Sequence, residues 1–146
     1  VKSLAKLLNT GPSGVYRLAA LADTAIVERK VQAAGLRFFH VDCRDVTSKE
    51  ALLCALERGL SFPDYFGHNW DALFDCLTDF SFTCGRGCCI LLEDLGPFAQ
   101  AAPHHLETLL EILCDAAQHW AKQSASFYVL VTALPGHGLH LDEIAL

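Results

Sequence analysis

"FPDYFGHNWDALFDCLTDF", residues 62–80, holds four aspartates, no Lys or Arg, and a run of aromatics. Asn69 ahead of "WDALFDCLTDF" predicts a short helix with Asn as its N-cap, where a side-chain oxygen satisfies a free backbone N–H. At about 100° per residue, Leu73, Cys76, Leu77 and Phe80 fall on one side and are expected to face a sheet. Asp71, Asp75 and Asp79 fall on the far side, with Trp70, Phe74 and Thr78 along the flank. The helix dipole favours Asp71 in the first turn by about 0.3–1 kcal/mol. Each like-charge i,i+4 pair costs about 0.2–0.5 kcal/mol, and Asp79 stands at the unfavourable end of the dipole. Stability alone would place Lys or Gln there. Two readings follow: a solvated acidic face, or an interface whose carboxylates meet cations brought by a partner. The absence of Lys and Arg from residues 59–85 leaves no local partners.

The 146 residues suit one domain with a sizeable core, and 52% hydrophobic against 19% charged residues excludes a disordered chain. No apolar run approaches the length of a spanning helix, and no charged-then-apolar leader opens the chain. The chain starts at Val1 and contains no Met, as expected where a native first residue is lacking. Seven cysteines, an odd number without a C-x-x-C pair, read as reduced, buried small hydrophobes in a cytoplasmic protein. The net charge of −6 is uneven. Residues 1–58 hold nine Lys/Arg and six Asp/Glu, whereas residues 59–121 hold only Arg86 against nine acids. An acidic second half argues against direct nucleic-acid binding and for a basic partner attracted over long range.

Along the chain, "NTGPSG" marks residues 1–14 as loop, and "GVYRLA" reads as a short strand. "TAIVERKVQAAG" reads as a helix with Thr24 as cap and Gly35 as stop. "LRFFHVDC" is a buried strand. "DVTSKEALLCALERGL" is a helix with Thr47 or Ser48 at the N-cap, Glu50 in a capping box and Gly59 at its close. "CCILLED" is a second buried strand, its adjacent cysteines pointing to opposite faces. A long helix follows over residues 102–123, with apolar residues at 106, 109, 110, 113 and 117. "SFYVLVTA" is a third strand, with Phe127 and Tyr128 as core residues beside Trp120 of the long helix. "PGHGLHLDEIAL" is a tail. Strands separated by helices predict an α/β fold with a parallel sheet.

The motif Pro63, Asp64, Tyr65-Phe66, Gly67, Asn69, Asp71-Ala72-Leu73, Asp75-Cys76-Leu77 closely resembles the central segment of the barstar family, intracellular inhibitors of the bacterial ribonuclease barnase. The order of elements fits from about residue 37 to 132. The resemblance implies a small parallel sheet of three strands packed with helices, in one domain spanning residues 1–146. Residues 1–36 would be an extension packed on the core, with "GVYRL" and the helix after it adding a fourth, edge strand and a covering helix. It implies no catalytic activity and no cofactor. The acidic helix and the loop before it would plug a cationic active site, with Asp75 in the place of the substrate's phosphate and Asp71 on a neighbouring Arg. Tyr65, Gly67, Asn69, Trp70, Phe74 and Thr78 match contact positions. A further acidic contact maps to Asp115, with Glu111 as the alternative. Three departures bear on which nuclease is bound: Phe74 replaces a Trp, Asp79-Phe80 replaces Gly-Trp, and His68 replaces an acid. The implied partner is a basic, barnase-type ribonuclease or a related toxin, bound by a monomer. The alternative is an acidic immunity module for a different basic partner.

Other groupings are weaker. His104-His105 and His137-x-x-His140 match neither H-E-x-x-H nor a Cys/His finger, so loop or surface histidines are expected and no metal. His68, Asn69, Asp71 and Asp75 as hydrolytic acid/base residues would need a cleft with perturbed pKa values. G-x-S-x-G, P-loop and G-x-G-x-x-G motifs are absent.

Overall fold

The computed structural model describes residues 2–19, 22–79, 86–134 and 141–146. The readings that placed Phe80 against a sheet, Cys84 in the core and His137 and His140 on the surface lie outside the described residues. Strand β1 (Lys2–Ser3) leads directly into helix α1 (Leu4–Thr10). Ser3 caps this helix by accepting from the Lys6 amide at 3.2 Å, and Leu4, Leu7 and Leu8 are buried along one helical face. The loop expected there is corrected: the Gly-Pro-Ser punctuation marks only the end of α1.

The chain continues through β2 (Gly14–Leu18), α2 (Thr24–Ala33), β3 (Arg37–Asp42), α3 (Lys49–Gly59), α4 (Trp70–Leu77), β4 (Gly87–Glu93), α5 (Gly96–Ala101), α6 (Pro103–Lys122), β5 (Ser126–Val131) and β6 (Glu143–Ala145). Asp23, rather than Thr24, caps α2, its carboxylate accepting from the Ala25 amide at 2.9 Å. Ser48 caps α3 by accepting from the Ala51 amide at 3.1 Å. Glu50 then stands one position early for a capping box with Ser48.

All strand pairs are parallel, and the sheet has six strands in the order β1-β6-β2-β5-β4-β3. The expected count of three, or four with an added edge strand, is therefore corrected. β2 is an interior strand, paired with β5 on one side and β6 on the other. A segment of the supposed tail supplies β6, and the Arg17 amide donates to the Asp142 carbonyl at 2.9 Å just ahead of it. Strands of two and three residues carry no alternation to read, yet β6 satisfies backbone groups that β2 would otherwise leave open, and β1 does the same for β6.

Two apolar clusters sit on opposite faces of the sheet. The larger joins Leu52, Leu53 and Leu56 of α3, Leu73 and Leu77 of α4, Phe98 of α5 and Leu109, Leu113 and Trp120 of α6 with Cys88, Ile90, Phe127 and Val129. The smaller joins α1 and α2 with Cys89, Leu91, Tyr128 and Leu130. Cys88 and Cys89 thus point to opposite faces, as expected of neighbours on a strand. Two glycines allow close approach. A Cβ on Gly59 would lie 2.7 Å from Val41 Cγ2, so Gly lets the end of α3 settle on β3. Gly87 has φ of 137°, and a Cβ there would strike the backbone carbonyl of Ser126 where β4 meets β5. With α3 seated on β3 and α4 lying against α6, the 60–69 loop and α4 stand together on one side of the sheet.

Candidate functional site

The loop and α4 are held by their own backbone chemistry before any partner is considered. Asn69 is the N-cap as expected: its carbonyl oxygen accepts from the Ala72 amide at 2.8 Å, and its amide nitrogen donates to the Gly67 carbonyl at 3.3 Å. Gly67 leaves little room there, since a Cβ would come within 3.2 Å of the Asn69 side chain. The helix ends at Leu77 rather than reaching Phe80. The Thr78 hydroxyl donates to the Phe74 carbonyl at 2.8 Å, an oxygen that the Thr78 amide also bonds at 3.0 Å. Asp79 therefore lies past the C-cap, outside the regular i,i+4 stripe of the helix.

Asp71 and Asp75 are exposed on α4 and have no ion-pair partner among the described residues. Leu73 and Leu77 on the opposite side are fully buried, and Cys76 is half-buried. Burial pushes the Cys76 thiol up, and the carboxylates of Asp79 and Asp75 push it further in the same direction. Both acids thus act on one short stretch of helix surface. Phe74 and Thr78 are half-buried along the flank, and Tyr65 is 77% exposed. A large aromatic so open is unusual in a chain whose other big apolar side chains are mostly covered. Asp115 and Glu111 are both exposed on α6, the helix against which α4 packs.

Three features of the site had no sequence signal, because they join residues distant along the chain. Trp70 is half-buried, with the Lys49 ammonium 5.4 Å from its ring centroid and the His105 ring at 6.0 Å. His68 Nε2 lies 2.9 Å from Glu57 Oε1 and its ring rests on Phe66. A cavity of about 270 Å³ opens beside the end of α4, lined in part by Arg37, Phe62, Tyr65, Cys76 and Asp79.

Among the described residues no group of three or more His, Cys, Asp or Glu is placed to hold a metal ion. No described helix is long and apolar enough to cross a membrane. Cys43, Cys88 and Cys89 are buried free thiols, and Cys54, Cys76 and Cys114 are half-buried and free.

Known proteins match parts of this chain. A protein of Bacillus subtilis (strain 168) named "Putative ribonuclease inhibitor YrdF" is 49% identical over 43 residues, which cover 30% of this chain and 47% of the relative. The match thus spans about half the length of that relative. The family model described as Barstar (barnase inhibitor) matches residues 36–132, from β3 to the end of β5 with the loop and acidic helix between them. With more than half of its length matched in this way, the chain belongs to the Barstar family.

Proposed function

We propose that this protein is an inhibitor that binds a small basic ribonuclease of the barnase type and occludes its active site with α4 and the loop before it, acting by binding alone and with no cofactor. The observation that carries this is the pair of exposed carboxylates, Asp71 and Asp75, unpaired among the described residues on a helix whose two ends are fixed by Asn69 and Thr78. A nuclease site built to hold a phosphate leaves cations unpaired when empty. A carboxylate on a rigid helix meets them with little ordering cost, and charge-assisted hydrogen bonds to Arg or Lys are the strong kind. In this reading Asp75 takes the phosphate's place and Asp71 binds a neighbouring Arg. Tyr65, Gly67, Asn69, Phe74 and Thr78 form the surrounding contact. Trp70 meets the partner with the part of its ring that Lys49 and His105 leave open, and Asp115 of α6 extends the contact.

The family membership supports this reading, and so does the printed name of the Bacillus relative. The setting we propose is toxin immunity in a bacterial cytoplasm, with the protein a monomer before binding and residues 1–36 part of one domain with the core. The test is titration into a barnase-type ribonuclease while RNA cleavage is followed, with Asp75→Ala in parallel. Inhibition that saturates near one-to-one and is lost in the variant is the expected result. Undiminished cleavage would transfer the reading to a different basic toxin, to be sought by capture from the native host.

A further inference from the structure

Helix α3 grips the entry to α4 at two points. Near its start the Lys49 ammonium lies 5.4 Å from the centroid of Trp70. Near its end the Glu57 carboxylate meets the His68 imidazole, Oε1 to Nε2, at 2.9 Å. The two gripped residues flank Asn69, whose side chain sets the first turn of α4. His68 has a backbone φ of 53°. A residue with a Cβ keeps that left-handed conformation only where its surroundings hold it there. Here they do so from two directions. The ring rests on Phe66 with centroids 4.9 Å apart, and Phe66 is itself buried beside Phe62 at 5.1 Å. The His68 and Glu57 side chains are 46% and 28% exposed, so water screens their contact without dissolving it.

We propose that Glu57 is a positioning residue for the acidic face: through His68 it fixes Gly67, His68 and Asn69 in the shape that meets a basic partner. The proposal rests on the interface reading given above, and assigns Glu57 no contact with the partner. A hydrogen bond donated to a carboxylate is charge-assisted, about twice as strong as one between neutral groups. Glu57 is the charged group in contact with the ring. Asp64, Asp71 and Asp75 of the same loop and helix, and Arg58 beside Glu57 in α3, are exposed, while Lys49 is engaged on Trp70.

The test compares wild type, Glu57→Ala, Glu57→Gln and His68→Gln. Association and dissociation of a barnase-type ribonuclease are measured, with amide hydrogen exchange at residues 67–69 of the free protein. Glu57→Ala should dissociate about two- to fivefold faster than wild type. Glu57→Gln, which keeps a neutral acceptor for the imidazole, should lie between the two, and His68→Gln should dissociate at least as fast as Glu57→Ala. Exchange at residues 67–69 should rise in the same order. Dissociation of Glu57→Ala within error of wild type would overturn the proposal. So would a loss confined to association and erased by salt, which would make Glu57 a steering charge only. If the ribonuclease fails to bind wild type, the interface reading falls and exchange decides alone: faster exchange in Glu57→Ala upholds the clasp, and unchanged exchange removes it.

Discussion

The indole N–H of Trp120 donates to the carbonyl oxygen of Leu77 at 2.8 Å, so the last residue of α4 is bonded to α6. A helix end leaves its final carbonyls without intrahelical donors, and here a buried side chain from a distant helix supplies one. Trp120 is therefore both a core residue and the anchor for the C-terminal end of the acidic helix.

Trp120→Phe keeps most of the apolar bulk and removes that donor. It should lower stability by about 1–3 kcal/mol, the usual cost of stranding a buried acceptor. Urea unfolding checks this through a lower midpoint with an unchanged slope. A midpoint within error of wild type would show that water replaces the indole at Leu77.

Asp75 and Asp79 are one turn apart in sequence yet differ in setting. Asp75 is exposed on the helix, whereas Asp79 lies past the cap and lines the cavity with Arg37 and Tyr65. Asp75→Ala should weaken binding to a barnase-type ribonuclease by at least about 2 kcal/mol, roughly 30-fold. Asp79→Ala should cost less than about 1 kcal/mol. Inhibition constants for the two variants decide, and comparable losses would remove the phosphate-mimic role from Asp75.

The acids concentrated in residues 59–121 create a field that acts before contact. Raising salt from about 0.1 M to 1 M shortens the screening length from roughly 10 Å to 3 Å. Association with the basic ribonuclease should slow by tenfold or more, in order of magnitude, while dissociation changes far less. Stopped-flow rates across a salt series test this, and salt-independent association would contradict electrostatic steering.

The buried thiols set an alkaline limit. Burial pushes Cys43 and Cys88 up to about 12 from an ordinary value of 9.0, and Cys89 is raised by burial as well. Between those values the unfolded chain gives up protons that the folded one retains. The stability from keeping these thiols neutral is thus complete below pH 9 and is lost as pH rises toward 12, by about 1.4 kcal/mol per pH unit for each thiol. Unfolding curves from pH 8 to 11 should show a falling midpoint. Native iodoacetamide labelling at pH 8 should spare Cys43, Cys88 and Cys89 until denaturant is added. Peptide mapping that finds any of the three labelled in the native protein would refute their burial.

Much of the architecture was legible because it rests on local or periodic signals. Asn69 capping α4, the apolar face of α6 at residues 106, 109, 110, 113 and 117, and the opposed cysteines of β4 are each written within a few neighbouring residues. The candidate site was legible for the same reason, since all but Asp115 of its residues lie in one loop and one short helix. The extent of α4 was misread because periodicity alone does not show where Thr78 turns its hydroxyl back on the helix.

By itself, then, the sequence determined the longer strands and the helices α2, α3, α4 and α6 but not the short α1 and α5, which side of α4 is apolar, and which carboxylates are offered to solvent, because 3.6- and 2-residue periods and caps are properties of adjacent residues. Only the tertiary structure decided that β2 is interior, that β1 and β6 complete a six-stranded sheet, and that Glu57, Lys49 and Trp120 hold the acidic helix in place. Those arrangements join residues from 11 to 142 positions apart, or strands of two or three residues. No local pattern encodes them; they arise where buried backbone groups and half-buried rings must find partners as the helices close on the sheet.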